Sequence, residues 1–236
     1  MRIGLPICAL IGIWASSAFA DIISAKFSDP TTRYNHGILG DAIEYGSLHI
    51  SVTDKVTGTN TTVTIELPWD HVFEDIKPRL ADIDGDGDFE VIVIETDVSK
   101  GAALAVYDAF GKLAETPHIG QSNRWLAPVG IADFNGDGDI DIAYIDRPHL
   151  AKRLRVWSYR NGKLVKTARA KNLTNHKIGW DFIAGGVRDC GTGPEIITAN
   201  GSWRKIMSTR MNGVTLRSET IGPYNGPDSL KAALGC

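Results

Sequence analysis

A gapless internal repeat restricts the fold of this chain more than any other feature of its sequence. Residues 81–116 align with residues 132–167 at a constant offset of 51 positions. The two copies share the tetrapeptide GDGD, at residues 85–88 and 136–139. A unit of this size cannot bury both of its own faces, so the copies in a repeat protein stack on one another. The pattern therefore predicts a fold that is built by stacking similar units.

Two weaker copies extend the repeat over most of the remaining chain. One runs from Trp180 through residues 190–195 to Gly213, but it has lost the acidic pattern of the first two copies. The other lies earlier, around residues 38–41 and 47–50. Four units of about 40 to 55 residues have the size of propeller blades.

Each unit is expected to contain four short β-strands. In the second unit, a β-branched run at residues 90–94 leaves the acidic loop, residues 102–107 form the next strand, and Gly111 lies at a hairpin turn. A helical turn is predicted only at residues 229–234. We therefore predict an all-β protein, a β-propeller with four four-stranded blades. The alternative is five blades, the fifth being closed by residues 22–27 together with the C-terminal segment.

Both strong copies contain an acidic loop that is typical of a metal site. Oxygen-bearing side chains stand at positions 1, 3, 5 and 9, and the backbone carbonyl at position 7 adds a further donor. An EF-hand would need Glu at position 12, where this chain has Val93 and Tyr144. We predict two Ca²⁺ sites, because Mg²⁺ prefers a smaller site with more water ligands. The candidate ligand residues are Asp82, Asp84, Asp86, Asp88 and Glu90, and Asp133, Asn135, Asp137, Asp139 and Asp141.

The second acidic loop and its flanking strands resemble a known repeat. Residues 127–143, APVGIADFNGDGDIDIA, are similar to an FG-GAP (VCBS-type) repeat, as found in integrin alpha-chain propellers and many exported bacterial proteins, and residues 82–90 match the same motif. The resemblance implies a β-propeller whose loops bind Ca²⁺. It differs in blade number, since propellers of that family often have seven. It implies no particular activity.

The N-terminus is expected to be a secretory signal peptide. Arg2 precedes an apolar run at residues 3–18, and Ala18 and Ala20 place small residues at a cleavage site. The mature protein would then be periplasmic or extracellular, with no membrane span.

The predicted domain organisation is a signal peptide at residues 1–20 and a single β-propeller domain at residues 21–236. Within the domain we expect repeat units at about 31–70, 71–120, 121–171 and 172–222, and a C-terminal tail at 223–236.

Two cysteines remain after removal of the leader, Cys190 and Cys236. In an oxidising compartment a pair of cysteines without histidines at metal spacing indicates a disulfide. Two free buried thiols are the alternative.

The repeat register also places a set of polar and aromatic residues on one face. Positions eight residues before each acidic loop, or its equivalent, lie at equal radius in a propeller, so these residues and their neighbours would surround the mouth of a central channel. Such a ring suits a sugar or another small polar ligand. Aromatic plugging of the channel and plain solvated loops are the alternatives. The candidate ligand-binding residues are Arg33, His36, Glu74, Asp75, Arg124, Trp125, Trp180 and Asp181.

Composition restricts the class of function without naming one. Lys and Arg number 25 against 28 Asp and Glu, which argues against a general nucleic-acid binder or a polybasic membrane-surface protein. The sequence contains no nucleophile elbow, phosphate loop or dinucleotide fingerprint, so no catalytic residue is predicted.

The first hypothesis for the function is a non-catalytic, monomeric module that binds a protein or glycan. The alternatives are a small hydrolase or lyase, with His36 and carboxylates as acid and base, and a structural subunit of an envelope assembly.

Overall fold

The fold consists almost entirely of antiparallel β-structure. The structure, a computed structural model, describes residues 20–236, so the predicted signal peptide lies outside the described residues except for its last position. In this part of the chain, 17 strands form three sheets and a single short helix follows the last strand. That helix is too short to cross a membrane, and the described residues contain no candidate span. The all-β prediction is confirmed.

The first sheet has eight strands. They are β1 (Ala20–Thr31), β2 (Glu44–Asp54), β3 (Asn60–Glu66), β4 (His71–Phe73), β5 (Arg79–Ala81), β6 (Glu90–Asp97), β7 (Gly101–Tyr107) and β8 (Lys112–Glu115). The main path runs β1-β2-β4-β6-β7-β8, with β3 paired to β2 and β5 paired to β6.

The second sheet is a four-stranded meander, in agreement with the predicted unit. Its strands follow one another in the order β9 (Leu126–Ala132), β10 (Asp141–Asp146), β11 (Arg153–Arg160) and β12 (Lys163–Lys171).

The third sheet has five strands and carries the C-terminal helix. Its path is β13 (Leu173–Thr174), β15 (Pro194–Asn200), β16 (Lys205–Asn212) and β17 (Thr215–Pro223), and β14 (Gly186–Asp189) pairs with β15. The helix α1 (Pro227–Ala232) begins with Pro, which is favoured at the first position because the N–H groups of the first turn have no partner within the helix. It overlaps the predicted helical turn at residues 229–234 and begins two residues earlier.

The structure differs from the predicted set of separate blades in the first half of the chain. The short strand β4 pairs with both β2 and β6, so the first two repeat units share one sheet. Val72 and Phe73 of this strand are fully buried, and their burial stabilises this connection between the first two repeat units, called the joint below. Residues 22–27 lie in β1 and pair with β2 rather than with the C-terminal segment of the five-blade alternative. Across residues 20–236 the sheets do not close into a ring, so a four-bladed propeller is not established.

The main core lies between the three sheets and sets the position of the loops at their ends. Ile92, Leu104, Ile142, Val156 and Ile196, drawn from all three sheets, belong to one buried cluster. Strand β6 is buried along its whole length, as its continuous apolar run indicates.

The second and third sheets are in close contact where β9 faces β14. A Cβ atom at Gly130 would overlap the side chain of Val187, so this contact requires glycine. The close approach fixes how the two sheets are positioned against each other.

The predicted disulfide is present and attaches the C-terminal tail to the third sheet. Cys190, between β14 and β15, is bonded to Cys236 across a sequence separation of 46 residues. The tail also docks through Leu230, which is fully buried, and through the carbonyl of Ala233, which accepts a hydrogen bond from Arg188 Nη1 at 2.7 Å.

Reduction of this disulfide should lower the free energy of unfolding by about 2–4 kcal/mol, because the unfolded chain regains the entropy that the cross-link removes. Urea unfolding with and without reductant measures the loss. A variant with alanine at both Cys190 and Cys236 is the control, since reductant should not change its midpoint. An unchanged midpoint for the natural chain after reduction would contradict the prediction.

Candidate metal centre and adjoining cavities

Both acidic loops are turns between paired strands of the same type. The first joins β5 to β6 and the second joins β9 to β10. Ala81 pairs with Glu90, and Ala132 pairs with Asp141, so the ninth residue of each loop lies beside the residue that precedes the loop. The two loops therefore have equivalent positions in their sheets.

Hydrogen bonds from the backbone shape the first loop. Asp82 accepts the N–H groups of Gly85 and Gly87, at 2.8 Å and 3.1 Å, and Asp86 accepts that of Asp88 at 2.8 Å. Gly87 has a φ of 92°, a conformation that suits glycine. As a result, oxygen atoms of Asp82, Asp84 and Asp86 lie within 4.8 Å of one another and could hold a metal ion.

The second loop repeats these bonds residue for residue. Asp133 accepts the N–H groups of Gly136 and Gly138, at 2.7 Å and 2.9 Å. Asn135 Oδ1 accepts the N–H of Asp137 at 3.1 Å, as Asp84 accepts that of Asp86 in the first loop. The constant offset in the sequence thus corresponds to equal local geometry.

The ninth residue of each loop is a buried carboxyl group. Glu90 is 5% exposed and accepts the N–H of Ile83 at 2.9 Å, while Asp141 is fully buried and accepts that of Phe134 at 3.1 Å. Burial raises the pKa of Glu90 to about 7, and repulsion from the acidic residues of the same loop adds to the shift. Burial also raises the pKa of Asp141.

The donor set fits a hard divalent cation. All the side chains that converge in the first loop offer oxygen atoms, which Ca²⁺ prefers, and a cation there would offset the repulsion that contributes to the raised pKa of Glu90. The seventh residues, Asp88 and Asp139, direct their side chains to basic groups, Lys55 and Arg160 respectively. That arrangement is compatible with a ligand role for their backbone carbonyls alone.

Arg160 makes the two loops unequal. Its Nη2 lies 2.6 Å from Oδ2 of Asp137, the fifth residue of the second loop, in addition to the ion pair with Asp139. In the first loop the equivalent residue, Asp86, belongs to the cluster of three carboxylates. In the second loop, the candidate ligand Asp137 is therefore already paired with a positively charged side chain, that of Arg160. The loop sequence alone does not reveal this pairing.

The third copy has lost the acidic loop and has a different partner for its buried carboxyl group. The turn from β14 to β15 runs from Asp189 to Glu195 and is two residues shorter than the other loops. Arg188 pairs with Glu195 at the strand position that Ala81 and Ala132 occupy in the other copies. Its Nε lies 2.8 Å from Glu195 Oε1, so an arginine neutralises the buried acid there.

A cavity of about 680 Å³ lies between the two acidic loops. Its lining includes Asp82 and Asp84 of the first loop, Asp139 of the second, and Tyr159 with Arg160 from the β11–β12 hairpin. Both loops therefore border one solvent space.

A second cavity, of about 220 Å³, is lined by three of the eight predicted ligand-binding residues, and a fourth is hydrogen-bonded to one of them. His36, Arg124 and Trp125 line it, and Nδ1 of His36 is hydrogen-bonded to the fully buried Glu74. Burial raises the pKa of Glu74, whose other oxygen accepts the hydroxyl of Thr96 at 2.7 Å.

The rest of this cavity comes from residues that the repeat register does not identify. Arg147 and His149, on the loop after β10, line its opposite side. Nε2 of His149 lies 3.1 Å from Nδ1 of His176, and burial lowers the pKa of both histidines, that of His149 to about 4. The basic composition of this loop was the only sequence signal for it.

The other four predicted residues contact different partners. Arg33 lies over the ring of Trp69, 5.2 Å from its centroid, and Asp75 is buried in a two-bond ion pair with Arg79. Trp180 stacks on Phe182 in an aromatic cluster, and Asp181 is exposed.

Comparison with known proteins identifies the acidic part of the chain. A family model described as an FG-GAP-like repeat matches residues 82–144, which contain both acidic loops. The FG-GAP resemblance drawn from the sequence is confirmed for this stretch. No curated protein sequence matches the chain.

Proposed function

We propose that this chain is an exported, calcium-binding module of the β-propeller type that binds a protein or glycan partner without catalysing a reaction. The observation that carries the proposal is the pair of equivalent acidic loops inside the FG-GAP-like match. FG-GAP-like repeats favour a binding module. The disulfide between Cys190 and Cys236 favours an oxidising location outside the cytoplasm.

In this proposal each loop holds one Ca²⁺ through the side chains at positions 1, 3, 5 and 9 and the carbonyl at position 7. When bound, the ion would neutralise the carboxylates and fix the turn between two strands. The partner would bind where the loops border solvent or at the cavity beside Trp125, which combines an aromatic floor with His36 and two arginines. The four repeat units, from about residue 31 to 222, would then be the repeating parts of the propeller, with the first two joined in one sheet through β4.

Thermal unfolding across a calcium titration tests the metal sites. Because Ca²⁺ binds only the folded loops, stability should rise as RT ln(1 + [Ca²⁺]/Kd), about 2.7 kcal/mol at 100 times Kd. The variant Asp84→Asn with Asp137→Asn, which keeps the loop shapes, should lose most of this gain. Asp181→Asn, an exposed change outside the loops, is the matched control. No response of the natural chain to millimolar calcium would overturn the proposal.

Replacing Arg160 by Gln should increase the calcium affinity of the second loop about fivefold, because an exposed ion pair worth about 1 kcal/mol no longer competes for Asp137. Calorimetric titration should show a change at one of the two sites. Arg169→Gln, an exposed substitution on the neighbouring β12, should change neither. Equal or weaker binding in the Arg160 variant would refute the competition.

A hydrolase or lyase is the second candidate function, favoured by one observation. His36 is paired with a buried carboxyl group, Glu74, at the edge of a cavity that also contains Arg124 and Arg147. A histidine positioned in this way suits a general acid or base. Turnover of a defined substrate that His36→Gln abolishes, with calcium binding retained, would favour this function over the first.

A further inference from the structure

We propose that Trp180, Trp203 and Tyr224 form a binding site for a quaternary ammonium group, which the side chain of Lys177 occupies in the absence of ligand. We call these three residues the aromatic cage. The site is distinct from the acidic loops and does not rest on calcium binding.

The geometry around Lys177 carries the proposal. Its Nζ lies 4.9 Å from the ring centroid of Trp203, 5.5 Å from that of Trp180 and 5.6 Å from that of Tyr224. These distances are within the range in which an aromatic face attracts a cation. The rings are inclined to one another, at 70° between the two tryptophans and 57° between Trp203 and Tyr224. Three inclined rings therefore surround one ammonium group.

Separate parts of the third sheet hold the rings in place. The N–H of Trp180 bonds to the carbonyl of Lys177 at 3.1 Å, which closes the turn that brings that lysine and its ring together. The N–H of Tyr224 bonds to the carbonyl of Arg204 at 3.0 Å, beside Trp203. All three rings pack on the small core around Leu230. The cage is thus built by tertiary structure rather than by one flexible loop.

Two features of the cage favour a ligand over a purely structural role. Trp203 has a φ of 55°, which is unusual for a bulky residue, and the turn that holds it there, with the N–H of Trp203 bonded to the carbonyl of Asn200 at 2.9 Å, directs its ring toward Lys177. The hydroxyl of Tyr224 is buried and has no hydrogen-bond partner among the described residues.

Lys177 is a weak occupant of such a cage. It is exposed, and no carboxylate of residues 20–236 lies within ion-pair distance of its Nζ. A primary ammonium is strongly hydrated and loses water when it enters among rings. A quaternary ammonium has no N–H groups to desolvate, so the same rings should bind it more favourably.

Titration with tetramethylammonium and with choline, followed by calorimetry, tests the site in the folded chain at fixed calcium. Lys177→Ala empties the cage and should bind these cations about tenfold more tightly than the natural chain. Lys177→Arg again places a cationic side chain among the rings, so its affinity for these cations should not exceed that of the natural chain. Lys177→Ala combined with Trp203→Leu should lose binding, and circular dichroism confirms that each variant is folded. An uncharged isostere, tert-butanol, should not bind.

The source of the group is distinguished by a second arm with vesicles. Sedimentation with phosphatidylcholine vesicles, but not with phosphatidylglycerol vesicles, would assign the site to a lipid headgroup, whereas binding of choline in solution alone would assign it to a soluble cation. If the folded Lys177→Ala variant binds neither tetramethylammonium nor choline nor phosphatidylcholine, the proposal is refuted. Equal binding of tert-butanol would also refute it, because the rings would then not be selecting charge.

Discussion

Replacing Glu44 by Gln should stabilise the protein at alkaline pH by at least about 2 kcal/mol. Glu44 is 1% exposed, and burial is the main cause that raises its pKa to about 9, with repulsion from Glu74, Asp41 and Asp75 adding to the shift. Because the folded-state pKa lies above the ordinary value of 4.5, the folded state holds this proton more tightly than the unfolded chain. Stability is therefore greatest below that ordinary value and is lost as pH rises toward 9.

Urea unfolding at about pH 5 and about pH 8.5, with saturating calcium to keep the acidic loops from titrating, measures the effect. The Gln variant should exceed the natural chain at the higher pH, since each pKa unit corresponds to about 1.4 kcal/mol, and the two should converge at the lower pH. Glu66→Gln is the control, because Glu66 is exposed on β3, directly beside β2. Equal pH dependence in the Glu44 variant and the natural chain would contradict the prediction.

Truncation of Trp125 to Ala should cost about 3–5 kcal/mol of stability, because a large buried side chain is lost and a cavity remains. Trp125 is 2% exposed and belongs to the main core. Its indole Nε1 donates to the carbonyl of Glu74 at 2.7 Å, and its ring contacts that of His176 with centroids 4.9 Å apart. The alanine substitution therefore leaves both a cavity in the main core and a carbonyl of Glu74 without its hydrogen-bond donor.

Two further variants separate these contributions. Trp125→Phe keeps most of the packing but removes the hydrogen bond, so it should lose only about 1–2 kcal/mol. Trp69→Ala, at a tryptophan that is 80% exposed, should change stability by about 0.5 kcal/mol or less. The measurement is the free energy of unfolding in urea. A loss below about 1 kcal/mol for Trp125→Ala would show that the ring does not support the core.

Local features of the sequence predicted the acidic loops, the strands around them and the disulfide. The loop pattern is local, because the residues at positions 1 to 9 and the glycines between them determine the turn by their own hydrogen bonds. The strand predictions at 90–94 and 102–107 depended on β-branched and apolar runs, and β6 and β7 contain them. Cys190 and Cys236 are the two cysteines of residues 20–236, and they are bonded to each other.

Features that depend on distant contacts were not predictable in the same way. Arg160 reaches Asp137 across 23 residues of sequence, through the β11–β12 hairpin. The aromatic cage combines Trp180, Trp203 and Tyr224 from three separate turns. Such contacts leave no periodic pattern in the sequence, because they depend on how the folded sheets pack against each other. The repeat register included His36, Arg124 and Trp125, which line one cavity, and Glu74, which is hydrogen-bonded to His36, but it could not separate them from Arg33 and Asp75.

The joint at β4 bears on how the molecule can be divided. The three residues His71–Phe73 belong by sequence to the second repeat, yet they pair with β2 of the first and β6 of the second. Separating the first two repeats would therefore break the pairing of β4 with β2 or with β6 and would expose an unpaired strand edge. The boundary between the first two repeats in the sequence is thus not a boundary between sheets: residues 20–236 form three sheets where the sequence has four repeats.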